Sequence, residues 1–141
     1  MENEIMKSHP SLQRAIDIAM WMNFTHRIDK KVYGVIKDKK AKWYDVVLTQ
    51  GRRKSSFVVL PENYADMTYS QIEAIRTIVN PLPHWESLMG MFSTCDGELL
   101  RFMLAYHVPL DRIIRYELAS RGYDENLLWV GYDKARKIWL K

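Results

Sequence analysis

Cysteine is nearly missing: among 141 residues there is one, Cys95. A lone thiol forms no intramolecular disulfide and no cysteine-rich zinc site, which points away from small secreted scaffolds and toward a reducing, cytoplasmic setting. Glycine and proline are sparse as well, at six and five residues. The composition is therefore not that of a disordered linker, and no glycine-rich loop is present to wrap a phosphate. No apolar run approaches the roughly 18 residues of a membrane span and no signal-peptide pattern opens the chain, so no membrane partner is expected. The histidines at 9, 26, 84 and 107 have neither HxH nor HExxH spacing, and with them goes the expectation of a metal or cofactor.

What is present suits an ordinary folded protein. Hydrophobic residues make up 48% and charged residues 27%, and a chain of this length buries about two thirds of its unfolded surface without covalent staples. A single domain over 1–141 is expected, with a helix and a basic β-meander in 1–60 and a mostly helical part in 61–141. The fold class is α+β: an N-terminal helix, a three-stranded antiparallel meander, then a bundle of four to five short helices.

The residues behind this layout are specific. Ser8 or Ser11 caps a helix over about 11–25, whose apolar arc is widened by Ile18, Trp21 and Met22 beyond one stripe. Such an arc is either engulfed by its own domain or shared with a partner. The runs "KVYGVIK", "KWYDVVLT" and "SSFVVL", split by "DKKA" and "QGRR", read as short strands joined by polar turns. Trp43, Asp45 and Val47 share one face of the second strand and Tyr44, Val46 and Leu48 the other, so both faces need cover. Thr68 or Ser70 starts a helix stopped by "NPLP", a short helix covers 84–92, and Ser93, Thr94 or Asp96 caps one reaching His107. A further helix starts at Pro109 and ends before Gly122, followed by a short strand at 127–130 and a closing helix from Asp133.

Charge is unevenly spread. Net charge is +4, yet residues 29–54 carry nine basic and three acidic side chains while 55–98 carry one basic and six acidic. The basic residues of the first block include Lys31, Lys37, Lys39, Lys40, Lys42, Arg52, Arg53 and Lys54, interleaved with Tyr33, Trp43 and Tyr44. Cations neutralise phosphates and rings stack on bases, so this mixture suits a nucleic-acid surface. The other reading is that lysines on turns and edges keep strands from pairing with foreign chains.

A second surface is the helix pair around Val108, which fits a helix-turn-helix loosely. Arg112 and Arg115, with Tyr116, would face a groove, whereas Asp111 opposes phosphate, and His107 stands where a glycine would relieve strain. An ordinary antiparallel helix pair explains the same residues. Cys95 with His84 or His107, and Asp96 with Glu98, are the nearest approaches to catalytic sets, yet they lie at a helix start where Asp and Ser serve as caps. A non-enzymatic nucleic-acid-binding protein is expected, DNA before RNA. The alternative is an inhibitor or adaptor that meets an acidic protein, or a second copy of itself, through the apolar first helix and its charged surface.

Overall fold

The computed structural model describes residues 8–40 and 42–141. Among them are six helices and a two-stranded antiparallel sheet, a mixed helix-and-sheet architecture. Contacts cluster into two compact units, residues 1–82 and 83–141.

The first unit is built on helix α1 (Leu12–Thr25) and strands β1 (Tyr33–Lys37) and β2 (Tyr44–Leu48). Ser11 is extended and its hydroxyl accepts the Arg14 N–H at 3.2 Å, satisfying one of the orphan donors of the first turn. Ala15, Ile16, Ile18, Ala19 and Met22 are buried because α1 packs against both strands. The wide apolar arc is thus covered by its own sheet. Only its flank stays outside, with Trp21 40% and Phe24 58% exposed and the Arg27 guanidinium 4.5 Å from the Phe24 ring centroid.

The strand register pairs Tyr33 with Leu48, Val35 with Val46 and Lys37 with Tyr44. Alternate residues share a face, so Tyr33, Val35 and Val46 form the buried side. Val35 and Val46 are wholly buried, each worth roughly 1.5–3 kcal/mol relative to exposure. On the other side an added Cβ at Gly34 would lie 2.6 Å from Phe57 Cδ1 and 3.1 Å from Thr49 Cγ2. Phe57 therefore rests directly on the Gly34 backbone. Replacing Gly34 by Ala is expected to displace that ring and cost about 1–3 kcal/mol. Urea denaturation reads the loss, and a smaller residue at 57 in the Gly34→Ala background should recover part of it.

The expected third strand over 55–60 does not form. Residues Lys54–Ser56 make a 3-10 turn instead, and the chain crosses to the β1 side of the sheet rather than continuing beside β2. The Val58 N–H there donates to the Val35 carbonyl at 2.8 Å. Phe57 seated on Gly34 fixes where the chain crosses, which a pattern of β-branched residues does not reveal. The outer edge of β2 is met by His9, whose N–H and carbonyl exchange 2.8 Å bonds with Tyr44. Helix α2 (Tyr69–Thr77) follows, with Thr68 and Gln71 forming a reciprocal capping box.

The second unit holds α3 (Pro83–Ser93), α4 (Gly97–Ala105), α5 (Leu110–Arg121) and α6 (Tyr132–Trp139). The expected bundle is not seen here: extended helix–helix packing is that of α5 on α6, where Ala119 and Ala135 are buried and let the backbones approach. The expected strand at 127–130 shrinks to one bridge between Tyr123 and Trp129. Its loop is instead folded around Asp124, whose Oδ1 accepts the N–H groups of Asn126 and Leu128, each at 2.9 Å. The Trp139 indole N–H donates to the Tyr123 carbonyl at 2.9 Å, tying α6 back to the end of α5.

Candidate nucleic-acid interface

The hairpin sorts the basic residues by their place in the register. Lys37, Lys39, Lys40 and Lys42 stand at the β1–β2 turn, beside Trp43 and Tyr44. At the opposite end, the Thr49 N–H bonds the Val32 carbonyl at 2.9 Å, which brings the Lys31 region level with the turn carrying Arg52, Arg53 and Lys54. Six residue steps of extended chain, about 20 Å at 3.3 Å each, separate Lys31 from Lys37, the facing ends of the two clusters. One compact patch is not formed. Arg112 and Arg115 belong to the second unit.

All eight of these first-unit cations are exposed, and none is in an ion pair among the described residues. The nearby carboxylates are each hydrogen-bonded, and Asp29 also feels the charge of Lys31. Asp38 accepts the Lys40 backbone N–H at 2.9 Å, Asp45 accepts the Ser8 hydroxyl, and Asp29 takes the His26 ring at 3.0 Å. That His26 bond holds the Asp29 carboxyl below its usual range. Of the three rings, Trp43 is 41% exposed and available for stacking, Tyr44 is half-buried, and Tyr33 is buried.

In the second unit α5 turns the other way from the sequence expectation. Arg115 and Tyr116 lie toward α6: Arg115 Nη1 donates to the Trp139 carbonyl at 3.3 Å, and the Arg136 guanidinium sits 5.7 Å from the Tyr116 ring centroid. Ile113 and Ile114 are 53% and 58% exposed. Ala119 and Ala135 are the buried residues of these two packed helices. Arg112 remains exposed. His107 does adopt the left-handed conformation, φ +50, and the Val108 N–H returns to the Met103 carbonyl at 3.1 Å, closing α4 as a glycine would. Asp96 caps α4 through the Glu98 N–H at 3.2 Å, and Glu98 pairs with Arg101, so both acids have structural partners.

Sequence reasoning passed over one buried polar constellation. Asp17, 3% exposed, lies within the apolar arc of α1 and accepts 2.9 Å bonds from Gln13 Nε2 and the Tyr64 hydroxyl. A carboxylate between Ile16 and Ile18 was the available signal. A cavity of about 580 Å³ opens beside it, lined in part by Gln13, Tyr64 and Gln71. Burial, then the hydrogen bond and the negative charge of Asp17, push the Tyr64 hydroxyl above its ordinary pKa of 10.0. An acid held neutral more firmly in the folded chain contributes stability that is complete below 10.0 and is lost as pH rises beyond it. The wild-type urea midpoint should therefore fall on the alkaline side of pH 10 more steeply than that of Tyr64→Phe. At neutral pH, Tyr64→Phe should cost about 1–3 kcal/mol, because Asp17 loses a buried donor.

Among the described residues, no group of three or more His, Cys, Asp or Glu is arranged to hold a metal ion, and no helix is long and apolar enough to cross a membrane. Compared with protein families, curated proteins and solved structures, the chain matches none.

Proposed function

We propose that the chain binds nucleic acid without chemistry, laying the β1–β2 hairpin along duplex DNA so that its two basic ends reach phosphates on either side of the contact. The observation that carries this reading is the set of eight exposed cations with no ion pair among the described residues, beside carboxylates already hydrogen-bonded. Cations left unneutralised on a folded surface make a counterion-releasing site for a polyanion. The spacing of about 20 Å between the clusters corresponds to roughly six base-pair steps at 3.4 Å. Phosphate contacts would position the chain, and Trp43 would supply a stacking surface where strands open.

Fluorescence anisotropy with labelled duplex DNA, single-stranded DNA and RNA, run from about 50 to 200 mM salt, tests the reading. Micromolar or tighter binding that weakens steeply with salt supports it. Absence of binding to all three at the lowest salt removes it.

The second reading is association through the exposed apolar residues of α4 and α5, with Leu104 79%, Ile113 53% and Ile114 58% exposed. It no longer draws on α1, whose arc is covered by the sheet. Another copy of the chain is the simplest occupant. Light scattering over a rising concentration series would give a dimer that Ile113→Glu disrupts; a monomer throughout would exclude self-association.

A further inference from the structure

We infer that the cavity beside β1 in the first unit binds a small amphipathic anion, a medium-chain aliphatic carboxylate, with its head group between Arg52 and Lys54. The cavity measures about 560 Å³, within the roughly 300–1,000 Å³ of sites that take small molecules. Its wall is largely aliphatic and aromatic, from Val32, Phe57, Val58, Val59 and Leu60. Val32 and Val59 remain 55% and 90% exposed, apolar surface that a hydrocarbon chain would cover.

The polar side chains lining the same cavity narrow the ligand class. Asn23 is engaged at both ends of its amide: Nδ2 donates to the Tyr33 carbonyl at 3.1 Å and Oδ1 accepts the Tyr33 N–H at 2.6 Å. The Thr49 hydroxyl donates to the Val32 carbonyl at 3.2 Å. A nucleobase or sugar needs its edges hydrogen-bonded on burial, and these groups are already occupied by β1. A hydrocarbon body makes no such demand. The charged residues lining the cavity, Arg52 and Lys54, are both cationic, and among the described residues no carboxylate lines it. A carboxylate head meets a guanidinium in bidentate geometry, with the ammonium as a second donor. Cationic and neutral amphiphiles lack that contact.

This inference stands apart from DNA binding, although Arg52 and Lys54 serve both: a chain that ignores nucleic acid can still take the carboxylate. Isothermal titration of the full chain with decanoate, and separately with 1-decanol and decyltrimethylammonium, tests it. Saturable decanoate binding at least tenfold tighter than either control is expected. An Arg52→Gln, Lys54→Gln double variant, altering two exposed side chains, should weaken decanoate at least tenfold and leave decanol unchanged. Amide chemical shifts of Gly34 and Val58 should move during the titration. Equal affinity for the three amphiphiles, no saturable binding, or an unchanged affinity in the double variant would each overturn the assignment.

Discussion

Substituting Lys37, Lys39 and Lys40 by Gln and Lys42 by Asn is expected to flatten the salt dependence of DNA binding more than any other change to this chain. With eight phosphates contacted, affinity falls about 20,000-fold between about 50 and 200 mM salt, since the log–log slope is about −0.9 per phosphate. With four contacts removed the same interval costs only about 150-fold, and each lysine accounts for roughly one unit of slope. Asn is chosen at position 42 because Lys42 has φ +58, a conformation Asn tolerates. The Lys40 backbone bond to Asp38 does not depend on the lysine side chain, so the turn should persist. Matching circular dichroism spectra would confirm that. If the slope of the quadruple variant equals that of the parent, the β1–β2 turn does not touch DNA, and an Arg52, Arg53, Lys54 triple Gln variant then reports on the opposite end alone.

Gly122→Ala is expected to be the most damaging single substitution in the second unit. Gly122 ends α5 at φ +80, its N–H bonds the Ala119 carbonyl, and its own carbonyl accepts the N–H groups of Val130 and Gly131 at 3.0 and 3.2 Å. An added Cβ would lie 2.3 Å from Trp129 Cζ3, against a ring held edge-on between Tyr123 and Tyr132. The left-handed backbone costs a Cβ-bearing residue about 1–2 kcal/mol and the clash about 1–3 more. A loss of about 2–5 kcal/mol follows, with near-ultraviolet dichroism of the aromatic cluster collapsing at a lower temperature. Gly131, at φ +85 and ψ 164, has a backbone that glycine adopts almost alone, but a Cβ there meets open space. Gly131→Ala should therefore lose stability through the backbone and retain the Trp129 packing signal that Gly122→Ala destroys.

Helix boundaries were legible because they rest on neighbouring residues. Ser11, Thr68 and Asp96 cap the helices that their side chains announce, and Gly122 stops α5 as its position suggests. The hairpin was legible for the same reason, two β-rich runs around a polar turn. The third strand was not, because its fate depends on Phe57 meeting Gly34 more than twenty positions away. The rotation of α5 was also hidden, since which of its sides is covered depends on α6, which packs on it from later in the chain.

Charge follows the same division. The amino-acid order by itself determined that residues 29–54 are strongly basic, that Ser8 or Ser11 caps a helix over about 11–25, and that a hairpin follows, because composition, capping and turn chemistry are local properties. That the basic residues divide between two ends follows from the order of strands and turns as well; tertiary structure alone decided that Asp17 is buried against Tyr64 and that Arg52 and Lys54 share a cavity with Val32 and Phe57. Those outcomes depend on which distant surfaces meet, and the energy of such contacts belongs to pairs of residues that neither member specifies alone.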